Sequence, residues 1–217
     1  MVTASELDAL ALPVGDDGVV IGVDEDGLPA VLGVARPTPY GVTLVGGLWA
    51  AQVLALRAAA TGVRVAVETG RSPSWAPLAR AAGGDQQCVT VHAVGRVPAL
   101  GSSVAQPVLV LRDCGASPPR GTVPPRPWQT VLTLLPHLGR VAPGLLRRAD
   151  LVGLERVSPE EAGEAGRVLE LPGPLVEALP GLGAGVTLWC AARDRRFAVT
   201  EPTEEERGLL GEPRRVD

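Results

Sequence analysis

A glycine pair, Gly46-Gly47, stands between one apolar run that predicts a buried strand and another that predicts a helix. In nucleotide-binding α/β domains this is the place of the phosphate loop, which needs a lysine for the phosphates and a hydroxyl for Mg²⁺. All twenty basic residues of this chain are arginine, and apolar residues follow the pair. We therefore expect no phosphoryl transfer here. The turn could still admit an anion at the helix N-terminus, or it could simply let the helix pack close to the sheet.

Two acidic residues are expected at the carboxyl ends of parallel strands, where open α/β sheets bind ligands. Glu68 ends one predicted strand, and Asp113 ends Leu109-Val-Leu-Arg-Asp, which is shaped like the magnesium-holding strand of phosphate-loop enzymes. An aspartate in this position also caps nearby amides, and without a lysine-bearing loop we favour that structural role. Gly46, Gly47, Glu68 and Asp113 are the candidate ligand-binding residues.

The remaining reactive residues form no recognisable catalytic or metal-binding pattern. Neither histidine lies in a nucleophile motif, and the three cysteines lack the spacing of a zinc site. Ser158-Pro-Glu-Glu161 predicts a helix start with a capping box, which accounts for Glu160 and Glu161. For Glu155 the sequence indicates no partner. We predict that the chain is not an enzyme and that it has no metal, no cofactor and no catalytic residue.

Four tryptophans dominate a chain in which only 3% of residues are aromatic. Tryptophan and arginine are enriched at interface hot spots, although core filling is the default for a tryptophan. We expect Trp49 and Trp189 in the core. The predicted contact residues for a protein partner are Trp75, Trp128, Arg71 and Arg112.

The elements that must position these residues alternate between apolar strands and helices. This order predicts an α/β fold with a mostly parallel sheet and helices on both faces, similar to a Rossmann or P-loop fold with a degenerate phosphate loop. We expect a single domain over 1–200 and a polar tail over 201–217. Within the domain we expect an N-terminal antiparallel hairpin (18–34), the main sheet (41–155), and helices followed by a closing antiparallel hairpin (158–200).

Local sequence signals predict the start and the end of one helix and argue against a membrane-spanning segment. Ser72 or Ser74 is expected to cap a helix that runs through Ala82 and is ended by Gly83-Gly84. The apolar stretch 41–60 approaches the length of a membrane span, but the glycine pair, Gln52 and Arg57 interrupt it. A buried strand followed by an apolar helix explains the stretch better.

Composition narrows the partners and the compartment. The net charge is −4 and the arginine clusters are small, so we expect no nucleic-acid binding. The odd cysteine count and the absence of a signal-peptide pattern favour a reducing cytoplasm.

Three motifs in the first half of the chain resemble a known family. Val45-Gly-Gly-Leu-Trp-Ala-Ala-Gln52, the strand Gly62-Val-Arg-Val65 and the helix start Arg71-Ser-Pro-Ser-Trp75 resemble the soluble domain of the actinobacterial type VII secretion protein EccE. The resemblance implies a non-catalytic component of an export complex, on the cytoplasmic side of the cell membrane. It also implies secretion-complex subunits as partners. Membrane association would then come only through partners or through a segment missing from this chain.

A second resemblance points to motor proteins. The Val-Gly-Gly turn, the strand ending at Asp113 and the run Arg148-Ala-Asp-Leu-Val-Gly-Leu-Glu155 are similar to an FtsK- or VirB4-type ATPase domain that lacks its lysine and hydroxyl. It implies a pseudo-ATPase. The alternative function is therefore a cryptic nucleotide- or sugar-nucleotide-binding protein, or a pseudo-ATPase on a degenerate P-loop scaffold.

Overall fold

The computed structural model describes residues 18–82, 88–119, 123–192 and 194–214. Its strands are β1 (Val19–Asp24), β2 (Pro29–Leu32), β3 (Tyr40–Val45), β4 (Arg64–Thr69), β5 (Val89–His92), β6 (Val108–Asp113), β7 (Gln129–Leu135), β8 (Leu151–Leu154), β9 (Val186–Ala191) and β10 (Asp194–Val199). The helices are α1 (Leu48–Ala60), α2 (Ser72–Ala81), α3 (Ala142–Leu146), α4 (Pro159–Leu169), α5 (Gly173–Ala178) and α6 (Glu204–Leu210).

All ten strands form one sheet in the order β2-β1-β10-β9-β8-β3-β7-β6-β4-β5. The six strands from β8 to β5 in that order run parallel, and the other four join them by antiparallel pairing. The prediction of a mostly parallel sheet, with one antiparallel hairpin near each end of the chain, is therefore confirmed. The two hairpins are neighbours within the sheet, because β1 pairs with β10.

Helices cover both faces of the sheet, as predicted. Along β3, Leu44 belongs to a core shared with α1 and α2, whereas the next residue, Val45, belongs to a second core shared with α3 and α4. This alternation is the period-two pattern of a strand that is buried on both faces. Residues from both faces of the sheet can therefore reach the ends of the same strands.

Helix α1 is the apolar segment that sequence hydropathy makes resemble a membrane span. Ten of its thirteen residues are buried. Arg57, near its end, forms a two-pronged ion pair with Glu206 of α6, both contacts being 2.7 Å. The apolar surface therefore packs inside the protein and the charge is neutralised there. None of the helices in the described ranges is long and apolar enough to cross a membrane.

The end of the chain differs from the predicted polar tail. Residues 204–210 form α6, which begins with a capping box between Thr203 and Glu206. Leu210 is buried, and the indole N–H of Trp49 donates to the carbonyl oxygen of Gly211 at 3.0 Å. Part of the predicted polar tail therefore forms a helix, and two groups on α1, the indole of Trp49 and the guanidinium of Arg57, bind this segment.

The start of α2 also differs from the prediction. The helix begins at Ser72, and Arg71 is the N-cap residue without a side-chain capping hydrogen bond. Neither serine therefore caps the helix. The helix, predicted to run through Ala82, ends at Ala81 with Ala82 as its C-cap, and Gly83-Gly84 lies outside the described residues.

Candidate functional site

The glycine turn between β3 and α1 holds a carboxylate from elsewhere in the chain. Gly47 is the N-cap residue of α1, it offers no capping side chain, and the first helical turn contains no acidic residue. Its backbone N–H donates to Oε2 of Glu155 at 2.6 Å. A carboxylate thus sits at the positive end of a thirteen-residue helix, where anions are stabilised.

Sheet pairing places Glu155 at this turn. The residue follows β8, which lies directly beside β3, and its N–H donates to the carbonyl oxygen of Val45 at 2.9 Å. Its side chain is buried, with the residue only 4% exposed. A Cβ atom at Gly46 would lie 2.4 Å from Oε2 of Glu155. Gly46 is therefore required for the close approach of the carboxylate.

This arrangement changes what the turn can do chemically. In a phosphate loop, backbone N–H groups of a glycine-rich turn and a helix start point at the phosphates. Here the N–H of Gly47 is already bonded to a carboxylate, through a short hydrogen bond to a charged acceptor. An incoming phosphate would meet both an occupied donor and a negative charge.

Asp113, for which the sequence favours a structural role over magnesium binding, accepts hydrogen bonds from protein donors at both carboxylate oxygens. Arg71 binds both its carboxylate oxygens, at 2.9 and 3.0 Å. The hydroxyl of Thr69 and the indole N–H of Trp75 donate to Oδ2 at 3.0 and 2.8 Å. A metal ion could bind only by displacing several of these hydrogen bonds. The geometry assigns Asp113 to joining β4, β6 and α2.

Glu68 belongs to a second buried pair. Nε of Arg112 donates to Glu68 at 2.5 Å, and the N–H of Gly95 donates to its other oxygen at 2.7 Å. Arg112 also donates to the carbonyl oxygen of Pro119 at 2.7 Å. Burial opposes ionisation of Glu68, but the hydrogen bonds from Arg112 and Gly95 outweigh it and lower its pKa. The pair ties two loops to the sheet.

The four candidate ligand-binding residues do not form one site. Gly46 and Gly47 follow β3, where they share the turn with Glu155. Asp113 ends β6, and β7 lies between β3 and β6. At about 4.8 Å per strand, Asp113 is about 10 Å from the turn and Glu68 about 14 Å. Each acidic residue therefore has its own local partners.

Two of the predicted contact residues lie inside the protein. Trp75 is 0% exposed, and Arg112 is buried on Glu68. Their predicted role in contacting a partner is wrong, because their polar groups hold the sheet ends together. Arg71 is partly exposed but bound to Asp113, and Trp128 is half-buried. For these two, a partner contact stays a prediction. Trp49 and Trp189 lie in the core, as predicted.

Two of the three cysteines, Cys114 and Cys190, have raised thiol pKa values, which disfavour the reactive thiolate. Burial, together with the charge of Glu68, raises the pKa of Cys114 to about 12. Burial raises the pKa of Cys190 to about 11. In the part of the chain that the structure describes, no group of three or more histidine, cysteine or acidic side chains is placed to hold a metal ion.

Two solved structures share the arrangement of this sheet and its helices. VirB4 of Thermoanaerobacter pseudethanolicus superposes with a TM-score of 0.59 at 10% identity, over 88% of this chain and 98% of that chain. The genome packaging NTPase B204 from Sulfolobus turreted icosahedral virus 2, in complex with AMPPCP, gives 0.51 at 12% identity, over 77% of this chain and 100% of that chain.

The fold of this chain is similar to that of these two proteins. At these identities the similarity concerns the fold alone. No family model and no curated protein matches the sequence. The resemblance to EccE, and with it the type VII and actinobacterial assignment, finds no support in these comparisons.

Sequence reasoning missed the role of Glu155. The sequence predicts both the strand and the acidic residue that follows it. The hydrogen bond between Glu155 and Gly47, however, depends on β8 lying next to β3. The chain offers one indirect signal. A glycine turn before an apolar helix with no acidic residue in its first turn leaves a helix N-terminus that needs an acceptor from elsewhere.

Proposed function

We propose that this chain is a pseudo-ATPase domain: it keeps a P-loop-ATPase-like fold, does not hydrolyse nucleotide, and serves as a structural or interaction component of a larger assembly. The observation that carries the proposal is the carboxylate of Glu155 on the N–H of Gly47, 2.6 Å apart. This contact supports the interpretation that a carboxylate of the protein itself occupies the turn in place of a phosphate.

The magnitude of the electrostatic conflict supports the loss of phosphate binding. Two unit negative charges about 4 Å apart repel by about 4 kcal/mol at an effective dielectric constant of about 20. Since each 1.4 kcal/mol is tenfold in affinity, that repulsion weakens phosphate binding by nearly a thousandfold. The chain contains no lysine to offset it.

The position of Asp113 supports the same proposal. Magnesium at a P-loop site is held by an aspartate at a strand end together with the loop hydroxyl. Here the carboxylate of Asp113 accepts hydrogen bonds from Arg71, Thr69 and Trp75. The residue that follows Gly47 is Leu48, which offers no hydroxyl. Neither half of a magnesium site is therefore provided.

We infer protein partners for this chain from the sequence resemblance to EccE. That resemblance implies subunits of a membrane-embedded secretion complex and a location at the cytoplasmic face of the membrane. B204, which has a similar fold, is a genome packaging NTPase. We infer for this chain a role in holding such an assembly together, with protein partners instead of nucleotide.

The alternative function is binding of a nucleotide or sugar nucleotide without hydrolysis. The fold similarity to two ATPases favours it. It predicts a saturable thermal shift, because a ligand at a hundred times its Kd stabilises a protein by about 2.7 kcal/mol. The pseudo-ATPase proposal predicts no such shift with ATP, ADP or UDP-sugars in the presence of Mg²⁺.

The test compares wild type with Glu155→Gln and Glu155→Ala in thermal-shift and calorimetric titrations with ATP and Mg²⁺. Glu160→Gln is the matched control, because Glu160 is an exposed glutamate close in sequence. We expect no binding by wild type or the control, and weak phosphate or nucleotide binding once the carboxylate is removed. Micromolar binding by the wild type would favour the alternative function.

The partner proposal is tested separately with defined proteins. The chain is co-expressed with the membrane subunits of a type VII secretion complex. The purified complex is then tested for the presence of the chain. Its absence from an otherwise intact complex removes the secretion assignment and leaves the pseudo-ATPase proposal standing.

A further inference from the structure

The segment that follows α6 reaches the glycine turn. Glu155, which accepts the hydrogen bond from Gly47, lines a cavity of about 290 Å³, and Pro213 lines the same cavity. A Cβ atom placed on Gly185, in the loop before β9, would lie 3.4 Å from Cβ of Pro213, so the proline packs against that loop. We call residues 211–214 the strap. The strap therefore lies beside the carboxylate that occupies the turn.

The helix before the strap is firmly attached to α1. Glu206 of α6 forms the two-pronged ion pair with Arg57, and both side chains are largely buried. Leu210, the last residue of α6, is buried in the core that α1 shares. Charge-assisted hydrogen bonds removed from water are among the stronger contacts in a protein. Helix α6 therefore gives the strap a fixed base.

The strap itself is held by fewer contacts. The carbonyl oxygen of Gly211 accepts the indole N–H of Trp49 at 3.0 Å. Glu212 pairs with Arg207 at 2.7 Å, but the two side chains are 69% and 47% exposed, and exposed pairs add little stability. In the part of the chain that the structure describes, no backbone–backbone hydrogen bond involves residues 212–214. Segments with so few buried contacts open locally at a low cost in free energy.

Gly211 joins the fixed helix to the loosely held strap. Its φ of +77° lies in the left-handed region, which glycine adopts readily and other residues rarely do. Its N–H donates to the carbonyl oxygen of Arg207 at 2.9 Å, so the chain leaves the helix at this residue. A few residues at the end of an element can absorb the backbone rotation of a moving segment. Rotation at Gly211 can thus move the strap while α6 stays in place.

We infer that the strap is a displaceable cover over the glycine turn, anchored by α6 and hinged at Gly211. It shields the hydrogen bond between Glu155 and Gly47 from water and from anions, and its displacement exposes the turn. The inference rests on the proposed function, because it adds a second barrier at the position that Glu155 occupies. The strap then regulates access of phosphate to that position.

Hydrogen exchange of backbone amides in the full chain, followed by NMR, tests the cover without any ligand. Pro213→Gly removes the packing against the loop before β9. Gly211→Val disfavours the left-handed backbone at the hinge, although a Cβ there meets nothing within 4 Å. We expect the N–H of Gly47 to exchange at least about tenfold faster in each variant, because the strap opens more often.

Two comparisons separate local opening from general destabilisation. Gly62→Val is the matched control, because Gly62 follows the other end of α1, has a φ of +86°, and its Cβ would also meet nothing within 4 Å. It should leave the exchange of Gly47 unchanged. The N–H of Val110, buried in β6, should exchange as in the wild type in both strap variants. Equal acceleration at Gly47 and Val110, an equal effect of Gly62→Val, or no acceleration at Gly47 would each overturn the inference.

Phosphate binding tests the regulatory role. Adding Pro213→Gly to Glu155→Gln should tighten the binding of inorganic phosphate, measured by calorimetry, at least about threefold over Glu155→Gln alone. An affinity no tighter than that of the single variant would remove the strap as a barrier and leave the pseudo-ATPase proposal standing. Micromolar ATP binding by the wild type would instead contradict that proposal, and the exchange rates would still decide whether the strap covers the turn.

Discussion

The carboxylate of Glu155 accepts a hydrogen bond from the N–H of Gly47, although 108 residues separate the two in sequence. The contact joins the end of β8 to the start of α1 across adjacent parallel strands. It gives the N-terminus of a buried helix an acceptor and fills the turn at which a P-loop enzyme binds phosphate. The same contact thus supports both the stability of α1 and the proposed loss of nucleotide binding.

Removing this acceptor should destabilise the fold. In Glu155→Ala the N–H of Gly47 and the N-terminus of α1 lose a buried partner, and we expect a loss of about 1–3 kcal/mol in the free energy of unfolding. Urea denaturation measures it. Glu160→Ala, at an exposed site, should stay within about 0.5 kcal/mol of wild type. Equal effects of the two variants would show that the contact contributes nothing.

Gly46 should resist any side chain while Glu155 is present. In Gly46→Ala the new methyl group would meet Oε2 at 2.4 Å, so the carboxylate or the turn must move. We expect a loss of about 1–3 kcal/mol. Gly70→Ala is the control, because a Cβ there meets nothing within 4 Å. In the double variant with Glu155→Ala the two losses should not add. Full additivity would contradict the close contact.

Asp113 should act in structure and not in metal binding. Asp113→Asn removes the charge that holds Arg71, and we expect a loss of about 1–3 kcal/mol, reduced from a fully buried pair because Arg71 is partly exposed. Asp194→Asn disrupts an exposed pair and should change stability by less than about 0.5 kcal/mol. Adding Mg²⁺ to the wild type should leave the unfolding midpoint unchanged. A clear Mg²⁺-dependent rise would restore the magnesium site.

Acid should weaken the attachment of α6. Burial of Glu206 opposes its ionisation, but the hydrogen bonds from Arg57 and the N–H of Thr203 outweigh it and lower its pKa below 4.5. Its contribution to stability is therefore complete above that value and is lost as the pH falls through the folded-state pKa. Glu206→Gln should be less stable than wild type at neutral pH, and the difference should shrink in acid. Unfolding curves from neutral to acidic pH measure it; a constant difference would contradict this pKa direction.

The sheet was predictable because its signals are local. Apolar runs that alternate with helical segments, and an Asp-Gly turn at residues 26–27, indicate strands, crossovers and a hairpin without knowledge of distant contacts. The capping box at Ser158 and Glu161 was predictable for the same reason, and both of its hydrogen bonds are present.

The polar contacts at the strand ends were not predictable, because they depend on strand order. Gly47 meets Glu155 only because β8 lies beside β3, and Arg57 meets Glu206 across 149 residues of sequence. Trp75 follows the same logic. As one of a few aromatics near a helix start it suggested a surface contact, but its indole N–H completes the set of donors around Asp113.

We propose that the carboxylate of Glu155 closes the turn between β3 and α1 to phosphate. Isothermal titration of the wild-type protein with ATP and Mg²⁺, followed by an assay for phosphate release, tests it. We predict no binding heat at micromolar nucleotide and no release above background. Tight binding accompanied by turnover would contradict the claim.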